Sequence, residues 1–380
     1  MNVLILGSGQ LARMMALSGA PLGIEVRAVD VSNHKVVNPI DKKVMDIHLE
    51  TAIEAADAIS VEFEHIPEPL LEQVNRSGKL MPSVEAIAAG ADRVKEKALL
   101  DKLDIANCPY MIVDDATKLP QAVEQLGEKL IIKASRDGYD GYGQWRLSSK
   151  EQLPDIQQAL AELDLKKVPL VVEKMLSFER EVSLVGARAK NGQVALYPLV
   201  ENLHHQGQLH TCVAPAPAIT PALAAQAEQV FTALVNELNY VGVLAVEFFQ
   251  MGDTLLVNEI APRVHNSGHW SMQGADICQF ENHLRAICEL PLGSTQVIAP
   301  SVMLNVIGCD LPPKDMLSVP RTHLHGYMKT PRVKRKMGHI NITGNDYAEL
   351  GEAMQKLQKW LPKSYFPTLN GEAERLLQLK

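Results

Sequence analysis

No run of about eighteen apolar residues occurs anywhere in the chain, so a membrane-spanning helix is not expected. Basic residues are also in deficit. The 37 Lys and Arg stand against 45 Asp and Glu, a formal net charge of -8. Without a cationic excess to displace counterions from a phosphate backbone, general nucleic-acid binding is disfavoured. The five cysteines (Cys108, Cys212, Cys278, Cys288, Cys309) are odd in number and scattered, with no C-x-x-C pair. That usage points to reduced thiols and away from a disulfide framework or zinc site. The G-K-[ST] ending of a P-loop is missing too, which removes one standard phosphate cradle. What remains is ordinary globular material: 380 residues, 46% hydrophobic and 22% charged, with room for two or three domains. The strand-like NVLILG stands at the start with no charged leader, and a cytoplasmic protein is expected.

Strand-like and helical segments alternate over roughly the first ninety residues. NVLILG is followed by a helical run from Gln10 to Ala20, then EVRAVD, then strand-like Ala58–Phe63 and Lys79–Met81. This alternation predicts a small parallel α/β domain. PSVEAIAAGADRVKEKALLDKL reads as one helical linker with a serine cap. A second unit follows, with strands KLIIKAS, WRLSS and PLVVEKM and a helix around Gln152–Leu163. Next come a hairpin turning at Asn191-Gly192 and a helix at Leu223–Leu238. Beyond Pro300, SVMLNVIG, THLHGYM and KMGHINITG read as short strands, followed by a helix at Asp346–Leu361 and a polar tail.

The most informative stretch is VGVLAVEFFQMGDTLLVNEIAPRVHNSGH, residues 241–269. Two apolar strands flank a Met251-Gly252-Asp253 turn, and each carries one carboxylate. Side chains alternate along a strand, so Glu247 should share a face with Val243 and Ala245, and Glu259 with Leu255 and Val257. A hairpin centred on Asp253 sets the two glutamates opposite each other, with Cβ atoms ~5 Å apart. Like charges among aliphatic neighbours need compensation, and a hard cation such as Mg²⁺ suits carboxylate oxygens. Arg263, His265, Asn266 and His269 follow at once and add cationic, amide and imidazole groups.

Two glycine-rich segments bear on nucleotides. Gly7-Ser8-Gly9-Gln10-Leu11-Ala12 fits the dinucleotide fingerprint G-x-G-x-x-G/A, and Asp30 follows at about the expected distance. Alone it suggests an NAD-dependent oxidoreductase, but any tight strand-to-helix turn with exposed amides offers similar chemistry. A substrate-binding or degenerate version is favoured. Gly138-Tyr139-Asp140-Gly141-Tyr142-Gly143-Gln144 lies between two strands, where a flexible loop can close over a triphosphate. Lys133, at the end of LIIK, could neutralise phosphate oxygens. The run Lys329-Thr330-Pro331-Arg332-Val333-Lys334-Arg335-Lys336 is either a solvated basic face or a clamp for a phosphate.

Taken together, GSGQLARM, VEFEHIP, PSVEAIAAGADRVKEK, IKASRDGYDGYGQW, REVSLVGAR, ENLHHQG and NEIAPRVHNSGHW closely resemble the ATP-grasp superfamily. Within it they resemble the 5-(carboxyamino)imidazole ribonucleotide synthase family. The resemblance implies an α/β (α+β) chain with an N-terminal Rossmann-like pre-ATP-grasp domain (1–92), a central lid-bearing domain (93–177) and a C-terminal antiparallel-sheet domain (178–380). It also implies a ligase that carboxylates 5-aminoimidazole ribonucleotide with ATP and bicarbonate, through carboxyphosphate, in purine biosynthesis. Two Mg²⁺ ions, replaceable by Mn²⁺, would sit on Glu247 and Glu259, and a homodimer is implied. Arg93, Lys133, the loop from Gly138 to Gln144, Glu173, Lys174, Met175, Leu176, Glu181, His204, Asn258 and Glu259 correspond to ATP-binding positions. Glu173 to Leu176 would run along the adenine edge with backbone groups, Glu181 would accept from the ribose, and Phe249 either floors the adenine pocket or belongs to the core. Arg263, His265, Asn266 and Ser267 correspond to the catalytic loop that holds bicarbonate. Gln10, Glu64, Tyr139, Lys329, Arg335 and Lys336 correspond to the ribonucleotide site.

The chain departs from the family pattern at two places. Tyr142 stands where an arginine or lysine is usual, and Val333-Lys334 stands where a Pro-Gly turn is usual, so Lys334 could replace the missing cation. Three rival readings stay open on the sequence: a formate-dependent glycinamide ribonucleotide transformylase, an NAD-dependent oxidoreductase and a non-catalytic nucleotide-binding regulator.

Overall fold

In the computed structural model, described for residues 1–136, 143–161 and 163–379, the strands form three sheets. The first contains β1 (Asn2–Leu6), β2 (Glu25–Asp30), β3 (Lys35–Val37) and β4 (Ala58–Val61), in the order β3-β2-β1-β4. β1 runs parallel to β2 and β4, while β3 is an antiparallel edge. Its strands are almost wholly apolar because both faces are covered. α1 (Gln10–Gly19) lies on one face, and α2 (Leu49–Ala55) and α3 (Glu68–Asn75) lie on the other. The segment expected as a strand at Lys79–Met81 adds a single parallel bridge, Leu80 to Ile59. Pro82, which follows, has no N–H with which to extend that ladder.

The helical linker is two helices, not one: α4 (Val84–Ala91) and α5 (Arg93–Lys102). Ser83 caps α4 by accepting from the Ala86 N–H at 3.2 Å. Asp92 then leaves helical geometry (φ -131°, ψ 109°), and its carboxylate accepts from the Val94 N–H at 2.9 Å, which starts α5 afresh. The break directs Arg93 and Glu96 into the central cleft.

The second sheet, β5 (Tyr110–Val113), β6 (Leu130–Ala134), β7 (Gln144–Leu147) and β8 (Leu170–Lys174), is antiparallel in the order β5-β8-β6-β7. α6 (Leu119–Leu126) and α7 (Leu153–Leu160) pack on Leu130, Ile132 and Val172. Strand alternation therefore turns Ile131 and Lys133 toward the cleft.

The third sheet is nine-stranded, with every pairing antiparallel. Its strands are β9 (Arg180–Arg188), β10 (Val194–Leu196), β11 (Val200–His205), β12 (Gln208–Ala214), β13 (Gly242–Met251), β14 (Thr254–Ala261), β15 (Ser301–Ile307), β16 (Thr322–Gly326) and β17 (Lys336–Thr343). The order is β14-β13-β9-β11-β12-β15-β17-β16, with β10 paired to β9. The strands beyond Pro300 thus extend the sheet that holds the glutamate hairpin. α8 (Pro221–Glu237) covers one face through Phe231 and Leu234. The short α9 (Ser271–Gly274) follows the loop that leaves β14, and α10 (Gln279–Ile287) wedges between this sheet and the first.

The closing segment is not a polar tail. α11 (Tyr347–Leu357) is followed by α12 (Leu369–Gln378), whose Leu369, Ala373 and Leu376 are fully buried against Leu350, Met354 and Leu357. Their spacing of four and three residues makes a single apolar stripe among charged neighbours. Among the described residues, no helix is long and apolar enough to cross a membrane.

Candidate active site

One cleft of about 1140 Å³ is lined by strand residues of the second and third sheets and, on the side of the first, by α1, α4, α5 and the loop that follows β4. At its centre Glu247 pairs directly with Glu259, as expected, but by a different route. Met251 pairs with Thr254, so the hairpin is centred between Gly252 and Asp253, not on Asp253. Regular pairing would set Glu247 against Asn258. A β-bulge beyond Phe248 shifts the partner by one residue. The same bulge corrects the face assignment. Leu255 and Val257 pack beneath α8, whereas Glu259 points to the opposite side, and Asn258 and Glu259 both line the cleft. Glu247 does share its face with Val243 and Ala245, which lie in the core beneath it. Phe249, on that face, stacks on Phe178 with ring centroids 4.4 Å apart and lines the cleft.

The electrostatics follow from this crowding. Burial pushes the Glu247 carboxyl up to about 7; His204 opposes the rise, while Glu259 and Glu181 add to it. Glu181 and His204, neighbours across β9 and β11, approach to 3.1 Å (Oε2 to Nδ1). Burial works against the charge of His204, yet the hydrogen bond and charge of Glu181 raise its pKa. Glu181, His204 and Glu247 offer ligand atoms within 4.8 Å of one another. Because Glu181 engages the His204 ring, the oxygen donors of Glu247 and Glu259 fit a hard cation such as Mg²⁺ better. Glu96 was not anticipated. It lines the cleft, accepts from the Ile260 N–H at 2.6 Å, and is pushed up to about 8 by burial and by Glu259.

In the loop that leaves β14, Arg263 pairs with Glu64 at 2.8 Å. His265 Nδ1 accepts from the Ser267 N–H at 3.3 Å and meets the Ser267 hydroxyl at 2.8 Å. Nδ1 is therefore unprotonated, and in the neutral ring Nε2 carries the hydrogen, 3.5 Å from Glu247 Oε1. Burial, with Arg263 and Lys336 nearby, holds this imidazole well below its ordinary pKa. Ser267 is fully buried and braces the ring; it does not line the cleft. Asn266 exchanges amide hydrogen bonds with Asn305 at 3.1 and 2.6 Å. Gln279 pins the loop: it accepts from the His265 N–H at 2.9 Å and donates to the His265 carbonyl at 2.6 Å. Neither Gln279 nor Asn305 carries a local motif that could have marked it.

Toward the second sheet, Arg93, Lys133 and Gln144 line the cleft, as do Glu181, His204 and Asn258. Glu173 lies on β8, an interior strand of the second sheet. Its carboxylate is buried between Lys133 (2.6 Å) and Lys97 (2.7 Å), whose charges hold it down at about 2 against the cost of burial. Lys174 is exposed, Met175 and Leu176 are half-buried, and none of the three lines the cleft. Gly143 adopts φ +64°, and its carbonyl accepts from the Ala134 N–H at 2.8 Å. Gly138, Tyr139, Asp140, Gly141 and Tyr142 lie outside the described residues.

At the first sheet, Gln10 and Glu64 line the cleft, and Lys329 Nζ donates to Gln10 Oε1. Burial, aided by Arg335, pushes Lys329 down to about 8. Lys336 lines the cleft, while Arg335 turns to the Thr330 carbonyl at 3.1 Å. Lys334 is exposed and takes φ +62°, the left-handed conformation for which glycine is the usual residue. The dinucleotide fingerprint is occupied from within. The buried Glu62 carboxylate accepts from the Gly9 N–H and, at 2.9 Å, from the Ala12 N–H. A Cβ at Gly9 would lie 2.4 Å from Glu62 Oε1. Asp30 is likewise spent on Ser32 (2.7 Å) and Asn33 (2.9 Å). A pyrophosphate would have to displace a carboxylate held by two amides, which removes the basis for the oxidoreductase reading.

Comparison with known proteins agrees with this architecture. The ribonucleotide synthetase preATP-grasp domain matches residues 1–90, the ATP-grasp domain 98–280, and the phosphoribosylaminoimidazole carboxylase C-terminal domain 301–353. The N5-carboxyaminoimidazole ribonucleotide synthase of Vibrio cholerae is 49% identical over 379 residues, 99% of this chain and 100% of that one. The Escherichia coli protein of that name is 40% identical over 366 residues, 96% of each chain. Among solved structures, the Thermus thermophilus N5-carboxyaminoimidazole ribonucleotide synthetase superposes with a TM-score of 0.85 at 38% identity, covering 95% of this chain and 98% of that one. The Aspergillus clavatus synthase, in complex with ADP and 5-aminoimidazole ribonucleotide, gives 0.82 at 29% identity over 98% of each chain. With identity and fold shared from end to end, the chain belongs to the N5-carboxyaminoimidazole ribonucleotide synthase family of ATP-grasp ligases.

Proposed function

We propose that the cleft carboxylates 5-aminoimidazole ribonucleotide at the expense of ATP, taking bicarbonate as the carbon source, with the following division of labour. ATP lies between the second and third sheets, its phosphates toward Arg93 and Lys133, its ribose toward Glu181 and His204, and its base against Phe249. Glu247 and Glu259 hold Mg²⁺, which when bound neutralises charge on the triphosphate. Arg263 and His265 hold bicarbonate beside them. The neutral His265, with its hydrogen on Nε2, acts as a hydrogen-bond donor that orients an anion; it is not poised there as a base. A bicarbonate oxygen attacks the γ-phosphorus, the bond to the β-phosphate oxygen breaks, and ADP and carboxyphosphate result. The exocyclic amine then attacks the carboxyl carbon, phosphate departs, and the nitrogen gives up a proton. Gln10, Glu64, Lys329 and Lys336 hold the ribonucleotide, so that Glu64 couples its site to Arg263.

The observation that carries this reading is the Glu64–Arg263 ion pair, which joins the loop after β4 to the loop beside the facing glutamates inside one cleft. The test is ADP formation by the purified chain with ATP, Mg²⁺ and bicarbonate. Strong stimulation by the ribonucleotide that vanishes without bicarbonate is expected; ADP release that ignores either one contradicts the reading. The family resemblance extends the proposal to a cytoplasmic homodimer, and sedimentation equilibrium at the monomer mass would contradict that part.

A further inference from the structure

Beneath the nucleotide side of the cleft, two lysines share one buried carboxylate, each on its own oxygen. Lys133 Nζ lies 2.6 Å from Glu173 Oε2 and Lys97 Nζ 2.7 Å from Oε1. The two ammonium groups are placed differently. Lys133 lines the cleft. Lys97 is 1% exposed, does not line it, and is closed in by Asn107 Oδ1 at 3.1 Å and by the Tyr110 ring, 5.2 Å from Nζ to centroid. A lysine buried to that degree loses nearly all its hydration, so it has to be repaid by a partner. Its partner is the group that holds Lys133. The charge count then decides the consequence: lysine, glutamate and lysine together carry one net positive charge, whereas Lys133 and Glu173 alone would carry none.

We propose that Lys97 is a positioning residue for nucleotide binding, cancelling Glu173 from below so that this carboxylate aims Lys133 at the cleft without neutralising it. One positive charge is thereby left over for the phosphates of ATP. Lys97 touches no ligand and acts wholly through Glu173. The inference rests on the reading of Lys133 as a phosphate ligand. In a half-buried site of intermediate dielectric, one charge at this range changes the affinity for a polyanion by roughly tenfold or more.

The test is a charge cycle on the full-length chain, read as the Kd for ADP by calorimetry and the KM for ATP in turnover. Lys97→Met, with no net charge left, is expected to weaken ADP binding and raise KM roughly tenfold, with kcat changed less than about threefold. Glu173→Gln keeps an acceptor oxygen for Lys133 and leaves two positive charges, so ADP binding should hold or tighten. In Lys97→Met/Glu173→Gln the single charge returns, and affinity should recover to within about threefold of the parent. A double variant as weak as Lys97→Met, or weaker, would overturn the proposal, as would Lys97→Met with unchanged affinity. If Lys97→Met fails to fold, Glu173→Gln still decides, because a tenfold loss there contradicts the charge count. Lys133→Met separates the two readings. Unchanged ADP affinity in that variant defeats the assignment of Lys133 itself, whereas a loss there with none in Lys97→Met defeats only the role of Lys97.

Discussion

At the residue scale, the chemistry is concentrated in side chains that one hairpin and its exit loop bring face to face. Glu247 and Glu259 face each other across a hairpin, and the neutral His265 and the cation Arg263 stand beside them. Glu259→Gln removes the charge but keeps the shape of an exposed side chain, so turnover should be abolished while the thermal midpoint moves by no more than about 2 °C. Near-normal turnover at saturating Mg²⁺ would withdraw the metal role. Lys329 gives a second prediction. Burial brings its ammonium from the ordinary 10.5 down to about 8, so in the free protein it is charged below that pH and neutral above it. If it holds the substrate phosphate, KM for the ribonucleotide should be flat below pH 8 and climb toward tenfold per pH unit above it. Lys329→Arg, which keeps its charge, should flatten the climb. A profile identical in both proteins would remove Lys329 from the phosphate site.

At the element scale, regular periodicity was readable and its interruptions were not. β1, α1, β2, α8 and the Asn191-Gly192 hairpin follow from apolar alternation, helical spacing and turn residues. The division between α4 and α5 depends on Asp92 preferring to cap, and the bulge at Asn258 depends on how β14 meets β13. The cap preference of Asp92 is local but competes with a continuous helical pattern on both sides, and no local preference foretells the bulge. α12 was concealed because its apolar stripe is narrow and its remaining residues are polar. It nevertheless closes the core under the third sheet, where Leu376 is fully buried. Leu376→Ala should lower stability by about 2–4 kcal/mol, through lost burial and the cavity left behind. Urea denaturation measures this. A loss below about 1 kcal/mol would show that α12 is only loosely seated.

At the scale of the whole molecule, the site exists because the helices and the loop beside the first sheet meet the second and third sheets at one cleft. α10 supplies much of the junction between the first sheet and the third. His283 Nε2 meets the Ser60 hydroxyl on β4 at 2.9 Å, and Nδ1 accepts from the Val243 N–H on β13 at 3.0 Å. Burial holds this imidazole at about 4, against an ordinary 6.5. Between those values the unfolded chain is protonated at this residue and the folded one is not. The unfolded state thus binds more protons, and stability falls as the pH drops from 6.5 to 4, by up to about 3 kcal/mol from this residue. The acid-induced loss, measured by urea midpoints at pH 7 and pH 4.5, should be smaller in His283→Gln. An equal loss in both proteins would place the acid sensitivity elsewhere. A close approach reinforces the junction: a Cβ at Gly90 would lie 2.3 Å from Pro262 Cδ, next to Arg263.

The sequence by itself determined the class of chemistry, since the carboxylates, the guanidinium and the imidazoles of residues 247–269 stand close together along one hairpin and its exit loop. It also determined the regular strands and helices, whose periods are local properties of the chain. Tertiary structure alone decided which charges cancel. The distances from Glu62 to Gly9, from Glu64 to Arg263, and from Glu173 to Lys97 and Lys133 each span tens of residues or more along the chain or cross between elements. The protonation of a buried group depends on its neighbours in space and on the water it has lost, and neither is written in local sequence.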